Sequence, residues 1–244
     1  MNDIIETIEY KGYKIEINQS EFYDSPRDWD NLGKMVCWHS RYNIGDKHKY
    51  SNPDEFKKEL AYEADESIDD RIEYWDSGNG WVYLSKKYDW QESNEESRIK
   101  VNDLISKIII KHYIILSIYM YDHSGITINT TGFSCPWDSG QVGYIYVSKK
   151  EVKKEYNKTR LSKQLIKKVE DILKNEVNIY DQFIRGDVYD YSVVNPEDDE
   201  SIDSCTGFYG SDWESNGLME YAKNAIDCQV KQDIEKEFFS QFFF

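Results

Sequence analysis

Four cysteines and four histidines are the residues of this chain best suited to nucleophilic or metal chemistry. Cys37 and His39 stand two apart in "MVCWHS", a spacing that puts both side chains on one face of a strand. Cys135 opens the turn "CPWDSG", and its nearest histidine in sequence is His123. A thiolate beside an imidazole attacks acyl groups, and Cys37, His39, His123 and Cys135 together offer donors that zinc accepts. Both patterns lack what would make them specific. No Asn or Gln stands out as an orienting third member, and Pro136 directly follows Cys135, so no helix begins there to stabilise a thiolate. Asp46 and His48 in "GDKH" have the types for acid-base work, but 46 acidic residues make such neighbours common. The usual phosphate-loop, dinucleotide, zincin and nucleophile-elbow motifs are absent. The stretch 135–140 therefore reads as a rigid corner, with Pro136 fixing one backbone angle and Trp137 burying its ring. Asp138 and Ser139 would bond nearby backbone, while Gly140 and Gly143 permit tight geometry. No catalytic residue, metal or cofactor is assigned.

The elements that must position these residues follow from periodicity. Residues 4–18 predict a hairpin around Lys11-Gly12, with Ile4, Ile8, Ile15 and Ile17 as its apolar members. Asn52, Pro53 and Glu55 form a helix start with the pattern of a capping box. Phe56, Leu60, Ala64, Ile68 and Ile72 then recur every fourth residue, which predicts a long helix near 53–75. Further helices are predicted over 97–112, 162–180 behind Ser162, and 214–238, with strands at 113–121, 126–131, "VGYIYVS" and 188–191. Helices and strands intersperse without regular strand-helix-strand repeats, so the expected class is α+β, a mixed or antiparallel sheet with several packed helices. No linker composition is visible, and residues 1–244 read as a single compact domain. "WDSGNGWVYLSKK" at 75–87 and "WDSGQVGYIYVSKK" at 137–150 echo one another, either as a duplication or as reuse of a good turn.

Aromatic residues are abundant, with 20 Tyr, 10 Phe and 7 Trp, so core area comes largely from rings. No stretch approaches the roughly 20 apolar residues of a membrane span, and the widely spaced cysteines fit reduced thiols, so a cytoplasmic location without membrane contact is expected. The formal net charge of −16 argues against direct nucleic-acid binding and for a basic partner. If the first helix continues, Glu66, Asp69, Asp70 and Glu73 fall at i, i+3, i+4 and i+7 beside Asp65, a stripe whose charge density approaches that of DNA. Glu197, Asp198, Asp199, Glu200 and Asp203 form a second acidic patch in the loop "NPEDDESID". These ten carboxylates are the candidate partner-binding residues.

"WDNLGKMVCWHSRYNIGDKH" at 29–48 and "GFSCPWDSGQVGYIYVSKKEVKKEY" at 132–156, followed by "NIYDQFIRGDVYDY" and "IDSCTGFYG", resemble a family of uncharacterised proteins encoded by bacteriophages and plasmids. The resemblance spans most of the chain. It implies the context of a mobile-element accessory protein, many of which evade bacterial defence. Joined to the acidity, this gives the expectation of a non-enzymatic protein that inhibits a restriction or CRISPR nuclease by nucleic-acid mimicry, docking on its basic nucleic-acid-binding surface. The alternative is an enzyme acting on a nucleotide signal, nucleic acid or host protein, with a site near Cys135–Gly140 and Cys37/His39.

Overall fold

The computed structural model describes residues 4–65, 74–75, 81–82 and 95–243. Its contacts group into two compact units, where the sequence reads as one domain. The first holds residues 1–30, 124–127 and 178–244, and the second holds 31–123 and 128–177. The described residues form two four-stranded sheets, a two-stranded pair and five α-helices, so the class is α+β, as expected.

In the first unit, β1 (Ile4–Tyr10) and β2 (Tyr13–Gln19) form the predicted hairpin, with Lys11 and Gly12 both at positive φ in the turn. β2 pairs with β9 (Val188–Val194), which pairs with β10 (Ser201–Tyr209), so the antiparallel order is β1-β2-β9-β10. Ile15 and Ile17 alternate inward from β2 and are fully buried. They pack with Tyr191, Val193 and Phe208 against Leu218, Met219, Ala222 and Ile226 of the terminal helix Leu218–Phe243. Ile4, counted with the hairpin's apolar set, is half-exposed because β1 is the sheet edge.

The second unit centres on the strands β3 (Lys34–Cys37), β8 (Ser139–Ser148) and β6 (Tyr113–Asp122), in that order, with residues 128 and 129 of β7 (Ile126–Asn129) on the far side of β6. A further pair, β4 (Tyr74–Trp75) and β5 (Trp81–Val82), is antiparallel. The first helix, α1, spans Pro53–Ala64, and α2 spans Glu95–His112. Phe56, Leu60 and Ala61 of α1 meet Val101, Ile105, Ile108 and Ile109 of α2 over Tyr113, Tyr146 and Val36 of the sheet. Asn52 caps α1 by accepting the Glu55 N–H at 2.9 Å. The reciprocal half of the predicted capping box is displaced by one residue, since the Glu55 carboxylate accepts from the Ser51 N–H at 2.7 Å. The predicted helix 53–75 is corrected at its far end. Asp65 is extended, at φ −152° and ψ 93°, and residues 74–75 are strand.

After β8 comes α3 (Lys149–Glu155), closed by a capping box of Ser148 and Glu151. Helix α4 (Lys163–Arg185) starts at Ser162, whose hydroxyl accepts the Leu165 N–H at 3.1 Å. Within the second unit Val169, Leu173 and Val177 of α4 are buried at i, i+4 and i+8, as the periodicity predicts. Helix α5 is the terminal helix Leu218–Phe243, which starts four residues later than predicted, after a Gly217 at φ +88°.

Candidate functional site

The acidic turn between β9 and β10 is built by short-range bonds. Asn195 accepts the Glu197 N–H on its side chain at 3.1 Å and the Asp199 N–H on its carbonyl at 2.9 Å, while its own N–H donates to the Glu200 carbonyl at 2.9 Å. The Asp198 carboxylate accepts the Glu200 N–H at 3.1 Å. Asp199 sits at φ +56°, a conformation that Asp and Asn tolerate better than most side chains. With its backbone satisfied internally, the turn holds Glu197, Asp198, Asp199 and Glu200 exposed to solvent. Among the described residues none of the four carboxylates lies within 4.0 Å of a lysine or arginine nitrogen.

Asp203 is a correction to this patch. It lies within β10 rather than in the loop, half-buried, and its Oδ2 accepts the Tyr191 hydroxyl at 2.7 Å. Burial and this carboxylate both hold the Tyr191 phenol neutral to well above the usual tyrosine range. A residue missed in the sequence takes its place beside the turn. The Tyr13 hydroxyl donates to Asp233 of α5 at 3.3 Å, and its pKa is raised first by burial and then by the charges of Asp233, Glu197 and Asp198. Three carboxylates from a turn and a helix thus act on one phenol within the first unit. Nothing in the spacing of Asp233 along the sequence marks that meeting.

Of the other patch, Asp65 is described: it is half-buried, and its N–H caps α1 by donating to the Ala61 carbonyl at 3.0 Å. Glu66, Asp69, Asp70 and Glu73 lie outside the described residues.

The cysteine-bearing corner belongs to the second unit. The Asp138 Oδ2 lies 3.8 Å from the Cys135 thiol and 3.4 Å from the His123 Nδ1, so the carboxylate stands between thiol and imidazole. Nucleophile activation needs the imidazole in the middle, taking the proton from sulfur while the carboxylate orients it. This order is wrong for that task. The corner is stiffened instead, because Ser139 donates its hydroxyl to the Cys135 carbonyl and the Asp122 N–H donates to the Asp138 carbonyl at 2.9 Å. The Trp137 ring contradicts its expected burial: it is 92% exposed.

Cys37 ends β3 and its sulfur is enclosed, 2.7 Å from where a Cβ would stand at Gly143 and 3.3 Å from the same point at Gly45. Beside it runs an open groove of about 610 Å³ lined by Trp38, His39, Tyr42, Asp46, Lys47 and His48, among others. His39 Nδ1 accepts main-chain N–H groups of Arg41 and Tyr42, both at 3.3 Å. His48 Nε2 lies 2.9 Å from the Cys37 carbonyl, which only accepts, so Nε2 is the donor of this bond. The His48 Nδ1 is enclosed and has no hydrogen-bond partner among the described residues. Both imidazoles therefore serve the loop's backbone. No group of three or more His, Cys, Asp or Glu close enough to hold a metal occurs among the described residues, so Cys37, His39, His123 and Cys135 do not converge on one ion. None of the four cysteines forms a disulfide, and no helix among the described residues is long and apolar enough to cross a membrane. Comparison of the chain with protein families, with curated proteins and with solved structures returns no match.

Proposed function

We propose that this chain is a non-enzymatic, acidic binding protein of a mobile genetic element. It acts in the cytoplasm of a bacterial host, where it inhibits a restriction or CRISPR nuclease by occupying the basic surface on which that nuclease holds nucleic acid. The observation that carries this reading is the β9–β10 turn, four consecutive carboxylates held exposed and away from lysine and arginine on a chain of net charge −16. Such a field accelerates association with a positive surface and repels nucleic acid itself. The mobile-element setting rests on the family resemblance alone. The groove beside Cys37 and His39 favours the alternative of an enzyme, and the order Cys135, Asp138, His123 speaks against it.

The test uses a turn variant that spares the fold: Glu197→Lys, Asp198→Asn, Asp199→Asn and Glu200→Lys. Asparagine keeps the acceptor that Asp198 offers and suits the positive φ at 199. In cells carrying a restriction or CRISPR nuclease, the unaltered protein restores plating of a susceptible phage. The turn variant loses that protection at least tenfold with a melting temperature no lower than that of the unaltered protein, and Cys135→Ala and His39→Ala keep it. Full protection by the turn variant, or none by the unaltered protein against any nuclease tried, sinks the reading.

A further inference from the structure

We propose that Trp137 is the anchor by which the second unit takes an arginine or lysine side chain of a basic protein partner. This rests on the reading that the partner is basic, and it adds a residue that the acidic patches do not include. The ring is 92% exposed, in a corner held at Ser139–Cys135, Asp122–Asp138 and Cys135–Asp138. Upstream, the Asn129 side chain accepts the N–H groups of Thr131 and Gly132 at 3.0 and 2.7 Å and donates to the Gly132 carbonyl at 3.1 Å. The loop therefore presents the indole on a braced support instead of letting it collapse. Leaving so large an apolar ring in water is unfavourable by about 25 cal/mol per Å², and a partner that covers it recovers that free energy. Buried tryptophans are also the residues most often dominant in interfaces.

Charge decides what covers it. A nucleobase would stack on the indole, but its phosphates would meet a chain of net charge −16. An extended apolar partner surface finds little to match, since the exposed residues flanking Trp137 in sequence are Ser134, Pro136, Gly140 and Gln141. A cation fits, because it is attracted to the ring face and to the Asp138 carboxylate, whose side chain is 40% exposed one residue away. The same unit already makes this contact internally. The Arg41 guanidinium lies 5.5 Å from the Tyr42 ring centre and pairs with Asp122, to which Tyr42 also donates at 3.3 Å.

The experiment titrates the full chain with a short peptide alternating Arg and Gly, and separately with a single-stranded oligodeoxynucleotide, at low salt. Trp137→Ala is expected to weaken the peptide roughly two- to fivefold, the range of an exposed cation–π contact, with no change in melting temperature. Trp137→Phe should retain part of the affinity. Peptide affinity unchanged in Trp137→Ala but lost in the turn variant overturns the anchor and leaves the acidic reading standing. Affinity unchanged in both overturns both. Oligodeoxynucleotide binding that disappears in Trp137→Ala would identify a base-stacking residue and overturn the proposal.

Discussion

Gly143 and Gly140 look alike in the sequence, as two glycines of one strand, yet a methyl group would have opposite effects at them. A Cβ at Gly143 would stand 2.2 Å from the Val36 carbonyl oxygen and 2.7 Å from the Cys37 sulfur, whereas nothing lies within 4 Å of one at Gly140. Gly143→Ala should therefore cost about 2 kcal/mol or more through overpacking against β3, and thermal unfolding should show the loss as several degrees. Gly140→Ala serves as the control and should leave the melting temperature within about a degree. An equal response of the two would mean that β3 and β8 are not in this register. The expected role of Gly143 was thus legible and that of Gly140 was not, because only the pairing of Cys37 with Gly143 separates them. Trp137 shows the same limit: hydrophobicity predicts burial, while the hydrogen bonds of the corner fix where the ring points.

At the scale of elements, Asp46 shows how the edge of the second sheet is closed. Its carboxylate accepts the Met35 N–H at 2.8 Å and its own N–H donates to the Met35 carbonyl at 2.7 Å, so the loop stands where another strand would pair with β3. Asp46→Ala removes the first bond and leaves a donor on a fully buried residue, at a cost of about 1–3 kcal/mol. Asp46→Asn, which keeps an acceptor, should recover most of the melting temperature. Loss of stability in both alike would assign the effect to the charge of Asp46 instead. Asp46 and His48 drew attention in the sequence as an acid-base pair, and the structure uses both to fasten the 38–51 loop to β3. The hairpin of 4–18, α4 and the strands at 113–121 and 142–148 were legible because each carries a strong period bounded by caps or turns, while β8 starts earlier, at Ser139 within the expected corner. The end of α1 was not legible, since no Gly, Asn or Pro stands just after Ala64 to mark a stop. Asp203 was read into a loop because "DDESID" is polar apart from Ile202, and only pairing with β9 draws its second half into the ladder.

For the whole molecule, the division into two units left no trace in composition because it falls within α4 and β7 and at two short connections, after residues 30 and 123, that lack a linker's composition. The charge is the global property that the sequence states outright, and it makes a prediction about stability as well as binding. A formal charge of −16 repels itself most in the compact state, over a range of about 30 Å at 10 mM salt and about 8 Å at 0.15 M. The described ion pairs are mostly exposed, such as Lys11–Asp227 and Lys107–Asp103, and contribute little that salt could remove. Repulsion should therefore dominate, and the melting temperature should rise between these two salt concentrations. In the turn variant each Glu→Lys change adds two charges and each Asp→Asn change adds one, which moves the formal charge from −16 to −10. Its melting temperature should climb less steeply with salt, while its affinity for a basic peptide should fall. A melting temperature that drops as salt is added would show that attractive pairs outweigh the excess negative charge, and the proposed docking by net field would lose its physical basis.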